Sequence, residues 1–154
     1  VDLIFDRWST AEKGGYGEGT NISHLSYIIG NVKIGKNCFV GPFTILDGSA
    51  GLTIGDNTSI AAGAQVYSHD SVSRNLGGRK FNLSLGASKI GKNCFIGPNA
   101  VIAKGVSIGD NCFIGPNSVL TFSIDDFSAV SGNPAKIIGR VNLNKDTVSI
   151  ESNE

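Results

Sequence analysis

Aliphatic residues recur at every sixth position through most of this chain, with polar and small residues between them. From Ile90 the sequence reads IGKNCF, IGPNAV, IAKGVS, IGDNCF, IGPNSV and then Leu120, so Ile90, Ile96, Ile102, Ile108, Ile114 and Leu120 open successive units. The same rhythm runs from Ile22 through Ile28, Ile34, Val40 and Leu46, slips by two residues in DGSAGLT, and resumes at Ile54, Ile60 and Val66. A helix would repeat its apolar face about every 3.6 residues and a plain strand every two, so a period of six marks a repeat architecture. It predicts short strands separated by turns, with each opening aliphatic pointing inward and three units closing one coil. At roughly 3.3 Å per residue the faces of such a prism are on the order of 20 Å wide. The expected fold class is all-β, a parallel β-helix of about five triangular coils at roughly 16–33, 34–53, 54–71, 90–107 and 108–124.

Small residues fill the second and fifth places of the units. Gly91, Gly97, Gly109 and Gly115 are expected to take turn conformations that a Cβ would resist. Asn93, Asn111 and Asn117 suit the same turns, because a short polar side chain can bond locally to the backbone. Cys38, Cys94 and Cys112 all fall in the fifth place, a slot that elsewhere holds Thr44, Thr58, Ala64, Ala100, Val106 and Ser118. With no C-x-x-C pair, these cysteines read as reduced structural thiols.

The pattern divides one domain, 1–154, into three parts. Residues 1–20 form an N-terminal cap, in which Leu3, Ile4, Phe5 and Trp8 are expected to make one amphipathic turn closing the prism end. Residues 22–124 form the β-helix, interrupted by an excursion at about 70–89 where the units fade. Residues 125–154 are a C-terminal tail. Long excursions from a compact repeat are where function concentrates. Thirteen basic and thirteen acidic residues leave no formal net charge. That balance argues against nucleic acid or an anionic membrane as the main partner. No apolar run approaches 18 residues, so no membrane insertion is expected, and without a signal-peptide pattern the expected location is cytoplasmic.

The hexads, the histidine of VYSHD between a coil and the excursion, and the ending SGNPAKIIGR together resemble the hexapeptide-repeat acyltransferases with a left-handed parallel β-helix. Among these the likeness is greatest to sugar and polysaccharide O-acetyltransferases of the galactoside and maltose type, and it covers about residues 22–140. The left hand comes from the resemblance, since the general rule for parallel crossovers gives a right-handed one. The resemblance implies acetyl-CoA as acyl donor, a homotrimer with sites between subunits, and a sugar or nucleotide-sugar acceptor. The activity it implies is O-acetylation of a sugar hydroxyl in surface polysaccharide or lipopolysaccharide biosynthesis. N-acetylation of a nucleotide-linked amino sugar and a non-catalytic β-helix binding or scaffold protein are the alternatives. A γ-class carbonic anhydrase uses the same prism, but its zinc needs three histidines and this sequence has two, so no metal is expected.

Acyl transfer to an alcohol needs a base within hydrogen-bond reach of the hydroxyl, and histidine serves near neutral pH. His69 sits where the resemblance puts that base, whereas His24 lies in the first coil. Asp70 could orient the His69 ring only where the backbone turns, because successive strand residues point to opposite faces; a backbone carbonyl is the other candidate. By resemblance, Pro98, Pro116, Thr121, Phe122 and Lys136 contact CoA, with Arg140 as a second cation for its phosphates. For the acceptor the candidates are Asp47, Asp70, Arg74 and Arg79, although Asp47 also fits an ordinary turn position. Val40 lies near a position where the related sugar enzymes hold the acceptor with asparagine.

Overall fold

The computed structural model describes residues 7–152. The chain is an all-β parallel solenoid, and its strand ladders define three faces. The first face stacks Asn21–Ile22, Phe39–Val40, Ser59–Ile60, Phe95–Ile96, Phe113–Ile114 and Ser128–Ser131, all parallel. The long strands Tyr27–Ile34 and Ile45–Ile54 bend across the second and third faces. Above their first halves lie Gln65–Val66, Val101–Ile102 and Val119–Leu120; beside their second halves lie Ser88–Ile90, Ser107–Ile108 and a single bridge at Ile124. Ile22, Val40, Ile60, Ile96 and Ile114 on the first face, and Leu46, Val66, Ile102 and Leu120 on the second, are buried in one continuous core.

Six coils are present where the hexad count gives about five. The sixth begins with Ser128–Ser131, whose Val130 pairs with Ile114. Only 16 residues separate those two partners instead of 18, so the shortened coil escapes a strict period of six. The excursion occupies 67–87, between Val66 and Ser88. Val66 and Ile90 lie 24 residues apart, whereas their ladder partners Ile102 and Ile108 are six apart. The 18 extra residues equal one coil, which is why the rhythm restarts in phase.

The excursion is itself structured. His69–Asp70 pairs antiparallel with Ser84–Leu85, and a one-turn helix at Val72–Leu76 lies between them. At the start of the chain a helix spans Arg7–Lys13 and buries Ala11 against the first coil. Leu3, Ile4 and Phe5, assigned to the cap from the sequence, lie outside the described residues. At the other end Lys136–Leu143 and Val148–Ser152 add two antiparallel strands to the first face. No helix among the described residues is long and apolar enough to cross a membrane.

The corners assign different tasks to glycine and asparagine than the sequence suggests. Asn37, Asn57, Asn93, Asn99, Asn111 and Asn117 take the left-handed conformation, with φ between 53 and 57°. Gly91, Gly97, Gly109 and Gly115 are not among the residues with positive φ. They are required for another reason: the next coil passes directly over them. A Cβ on Gly97 would stand 2.6 Å from the Pro116 backbone nitrogen. Gly97→Ala is therefore expected to lower stability by about 1–3 kcal/mol through overpacking, whereas Asn99→Gly, at φ 55°, is expected to change it little. Urea unfolding midpoints of the two variants separate stacking from dihedral strain.

The cysteines lie in a column of small donors. The Cys38 and Cys94 thiols donate to the carbonyls of Gly55 and Gly109 at 3.1 and 3.0 Å, as the Thr58 hydroxyl does to Gly91 at 2.8 Å. All three cysteines are free and buried. Each thiol thus satisfies a corner carbonyl of the coil above it.

Candidate active site

The three corner columns of the prism carry different chemistry. The corner between the second and third faces holds the excursion. In the third coil Val66 is followed by Tyr67, Ser68 and His69; in the fourth coil Ala103 and Lys104 occupy the same corner; in the fifth, Thr121 and Phe122. The Tyr67 amide donates to Ile102 and the Ala103 amide to Leu120, so these residues are stacked in register.

His69 is held from below by Asp47. Its Nδ1 lies 2.6 Å from Asp47 Oδ2, and the Asp47 side chain is 1% exposed while that of His69 is 33% exposed. The same carboxylate accepts the Ser49 amide at 2.9 Å and hydroxyl at 2.5 Å, and the Ser68 amide at 3.0 Å. Burial alone would raise its pKa. The Ser49 hydroxyl, the Ser68 and Ser49 amides and the His69 ring outweigh that and hold the carboxyl well below the usual range. A carboxylate that stays charged beneath the ring requires Nδ1 to carry the proton, which leaves Nε2 as a lone-pair acceptor.

His69 also lines a cavity of about 440 Å³ shared with Tyr67, Asp70, Ser71, Val72, Val101, Ala103 and Lys104. Asp47, expected from the sequence to line an acceptor pocket, lies beneath the cavity and not on its wall. Asp70, the sequence neighbour considered for orienting the ring, turns elsewhere. Its Oδ1 accepts the Val72 amide at 3.0 Å and its Oδ2 pairs with Lys104 Nζ at 3.3 Å. Arg74 and Arg79 belong to the excursion and do not line this cavity. Val40 is fully buried in the core, so it faces no acceptor. His24 is an exposed corner residue of the first coil, two coils below His69.

The residues assigned to CoA divide between corners. Pro98 and Pro116 stack on the corner between the first and second faces, where the Asn117 amide donates to the Pro98 carbonyl at 2.9 Å. Lys136 pairs with Ser131 near the same corner. Thr121 and Phe122 lie across the second face, directly above Ala103 and Lys104. Arg140 pairs with Ser128 at the opposite end of the first face and donates to the Asp126 carbonyl at 3.0 Å. Lys136 and Arg140 are therefore not a cation pair: four strand residues, about 13 Å, separate them. Lys104 had no assignment from the sequence. Its signal is positional, because IAKGVS places it one coil above the corner where the excursion leaves.

Residues 17–48 and 87–121 match the family described as bacterial transferase hexapeptide (six repeats). The chain is a hexapeptide-repeat protein. The unmatched stretch between those segments contains the excursion and His69, so the departures from the hexapeptide pattern coincide with the candidate site. Nodulation protein L of Rhizobium meliloti (strain 1021) is 39% identical over 110 residues, which are 71% of this chain and 60% of that protein. The chain spans about three fifths of the length of the curated relatives it matches. Among solved structures, a maltose O-acetyltransferase from Clostridium difficile 630 superposes with a TM-score of 0.68 at 26% identity, covering 92% of this chain and 80% of that one. The S84T mutant of AntD, an N-acyltransferase from Bacillus cereus in complex with dTDP and coenzyme A, gives a TM-score of 0.73 at 23% identity, covering 91% of each chain. At that identity AntD shares the fold with this hexapeptide-repeat protein.

Proposed function

We propose that this chain is an acetyl-CoA-dependent O-acetyltransferase that esterifies a sugar hydroxyl in surface polysaccharide or lipopolysaccharide assembly, with His69 as general base. The observation that carries the proposal is the buried Asp47 carboxylate holding Nδ1 of a half-exposed His69 at the edge of a sugar-sized cavity. An alcohol is a poor nucleophile until its proton is being removed. Nε2 takes that proton as the hydroxyl oxygen attacks the thioester carbonyl carbon. The C–S bond then breaks, and the imidazolium returns the proton to the departing CoA thiolate. Asp47 stabilises the transient imidazolium without itself becoming protonated.

The maltose O-acetyltransferase among the structural neighbours supports an oxygen acceptor on a sugar. The N-acyltransferase AntD, seen with dTDP-4-amino-4,6-dideoxyglucose and coenzyme A, motivates the second reading, N-acylation of a nucleotide-linked amino sugar. The same base serves either chemistry. The distribution of the CoA candidates favours sites between subunits. Pro98, Pro116 and Lys136 border one edge of the second face, and His69, Thr121 and Phe122 border the other, so neighbouring copies would bring the two edges together. A homotrimer would also cover exposed apolar side chains such as Leu76 at 85% and Phe43 at 67% exposure. Light scattering that shows a stable monomer would refute this part.

CoA fits the Lys136 edge on chemical grounds, because an exposed lysine beside stacked prolines can pair with phosphate as a point charge. Titration of acetyl-CoA into the protein is expected to show saturable binding that Lys136→Ala weakens about tenfold, the scale of one charge-assisted contact. Absence of binding by the intact protein would refute the acyltransferase reading.

A further inference from the structure

We propose that the Asp70–Lys104 ion pair reads the acceptor in the cavity beside His69 and selects an uncharged vicinal diol. This inference rests on the acyltransferase reading above. The cavity walls are mostly apolar or already committed: Val72, Val101 and Ala103 offer no polar side-chain group, and the Tyr67 hydroxyl donates to Gln65 Oε1 at 2.7 Å. The Ser71 hydroxyl accepts from Asn75 Nδ2 at 3.3 Å. Besides His69, the charged lining groups are Asp70 and Lys104, facing each other at 3.3 Å.

The pair has unused hydrogen-bonding capacity. Asp70 is fixed by the Val72 amide on Oδ1 and by Lys104 on Oδ2, yet each carboxylate oxygen has a second lone-pair direction. Lys104 has three N–H donors and one partner at Asp70. The cavity therefore presents a strong acceptor and a strong donor side by side. Two hydroxyls on adjacent ring carbons match that arrangement, one donating to the carboxylate and the other accepting from the ammonium. A phosphate or carboxylate group would meet the Asp70 charge in the same place and find the lysine already neutralised. Lys104 projects from the fourth coil and Asp70 from the excursion strand that carries His69, so a diol held between them lies next to the base. A third hydroxyl of the same sugar, or an adjoining one, can then reach Nε2.

The test uses the full chain with acetyl-CoA and a panel of neutral methyl hexopyranosides and pentopyranosides, their phosphorylated counterparts, and the monodeoxy forms of the best acceptor, read by thiol release. The wild type is expected to prefer neutral acceptors. Lys104→Met and Asp70→Asn are each expected to raise the acceptor KM about ten- to hundredfold, the effect of a lost bond to a charged group, without changing acetyl-CoA KM. Removing one hydroxyl of the diol is expected to cost the wild type a similar factor and to cost Lys104→Met little more. That non-additivity marks direct contact. A pair that merely pins the excursion would lower kcat by one factor for every acceptor and leave the deoxy penalty intact, which would overturn the inference. Preference for phosphorylated acceptors would also overturn it, as would no transfer to any panel member by protein that binds acetyl-CoA normally. Failure to bind acetyl-CoA at all would remove the acyltransferase reading itself and this inference with it.

Discussion

His69→Asn is expected to lower kcat by about two to four orders of magnitude, the range that a positioned general base supplies, while leaving acetyl-CoA binding intact. Asparagine is the informative substitution at this position. Its side-chain amide can still donate to Asp47, so the buried carboxylate keeps a partner where Nδ1 now stands at 2.6 Å. What disappears is Nε2, the acceptor on the cavity side. Alanine would instead leave a fully buried charge short of one donor, adding a folding penalty to the catalytic one. The measurement pairs thiol release under saturating acetyl-CoA with calorimetric titration of the same sample. Loss of turnover with unchanged binding and an unchanged oligomer assigns the base to His69. Retention of activity within about tenfold would move the base elsewhere.

Much of the prism was legible because each inward aliphatic is a hydrophobic decision repeated at fixed spacing. Ile96 and Ile114 stack because no other arrangement buries both, and the hexads state this directly. The reading loses accuracy where coil length changes. Val130 closes a sixth coil after a shortened one, and a count in sixes stops at Leu120. It also misassigned the glycines, since sequence alone does not distinguish a residue that needs positive φ from one that must let another backbone pass. Gly97 is of the second kind and its neighbour Asn99 of the first.

At the site, His69 could be singled out from its place beside the excursion, but its partner could not be found by adjacency. Asp47 is 22 residues away in sequence and one coil below in space. The trace it leaves is the slip in DGSAGLT. That slip lengthens the second coil at the corner where the third coil opens into the excursion, and it turns Asp47 and Ser49 under the ring. Lys104 left even less, because its meaning depends on the stacking register. Only the ladder of Val66 against Ile102 shows that the residues following each share an edge. The hand of the helix is a different matter, since a period of six is equally compatible with either hand.

Asp47→Asn is expected to be nearly as damaging as loss of the base itself. An amide in place of the carboxylate presents an NH2 group where one oxygen now accepts, and the buried site has no water to absorb the mismatch. Turned toward the ring, that NH2 donates to Nδ1, the proton moves to Nε2, and the cavity-facing nitrogen becomes a donor unable to take the acceptor proton. A loss of about two to four orders of magnitude in kcat is expected, by the logic that makes the wrong tautomer costly in other histidine–carboxylate pairs. The pH profile distinguishes this from general misfolding. The carboxylate favours the imidazolium, so its removal makes the ring easier to deprotonate and shifts the acid limb of kcat/KM to lower pH, on a reduced plateau. Stability carries its own signature. Because the folded Asp47 carboxyl lies below its usual range, its contribution is fully present above the ordinary carboxylate pKa of about 3.9 and is lost as pH falls toward the folded value. The wild type should therefore lose stability on acidification through that window, and Asp47→Asn should lose less. A variant that keeps wild-type kcat and an unmoved acid limb would show that His69 does not depend on the carboxylate beneath it.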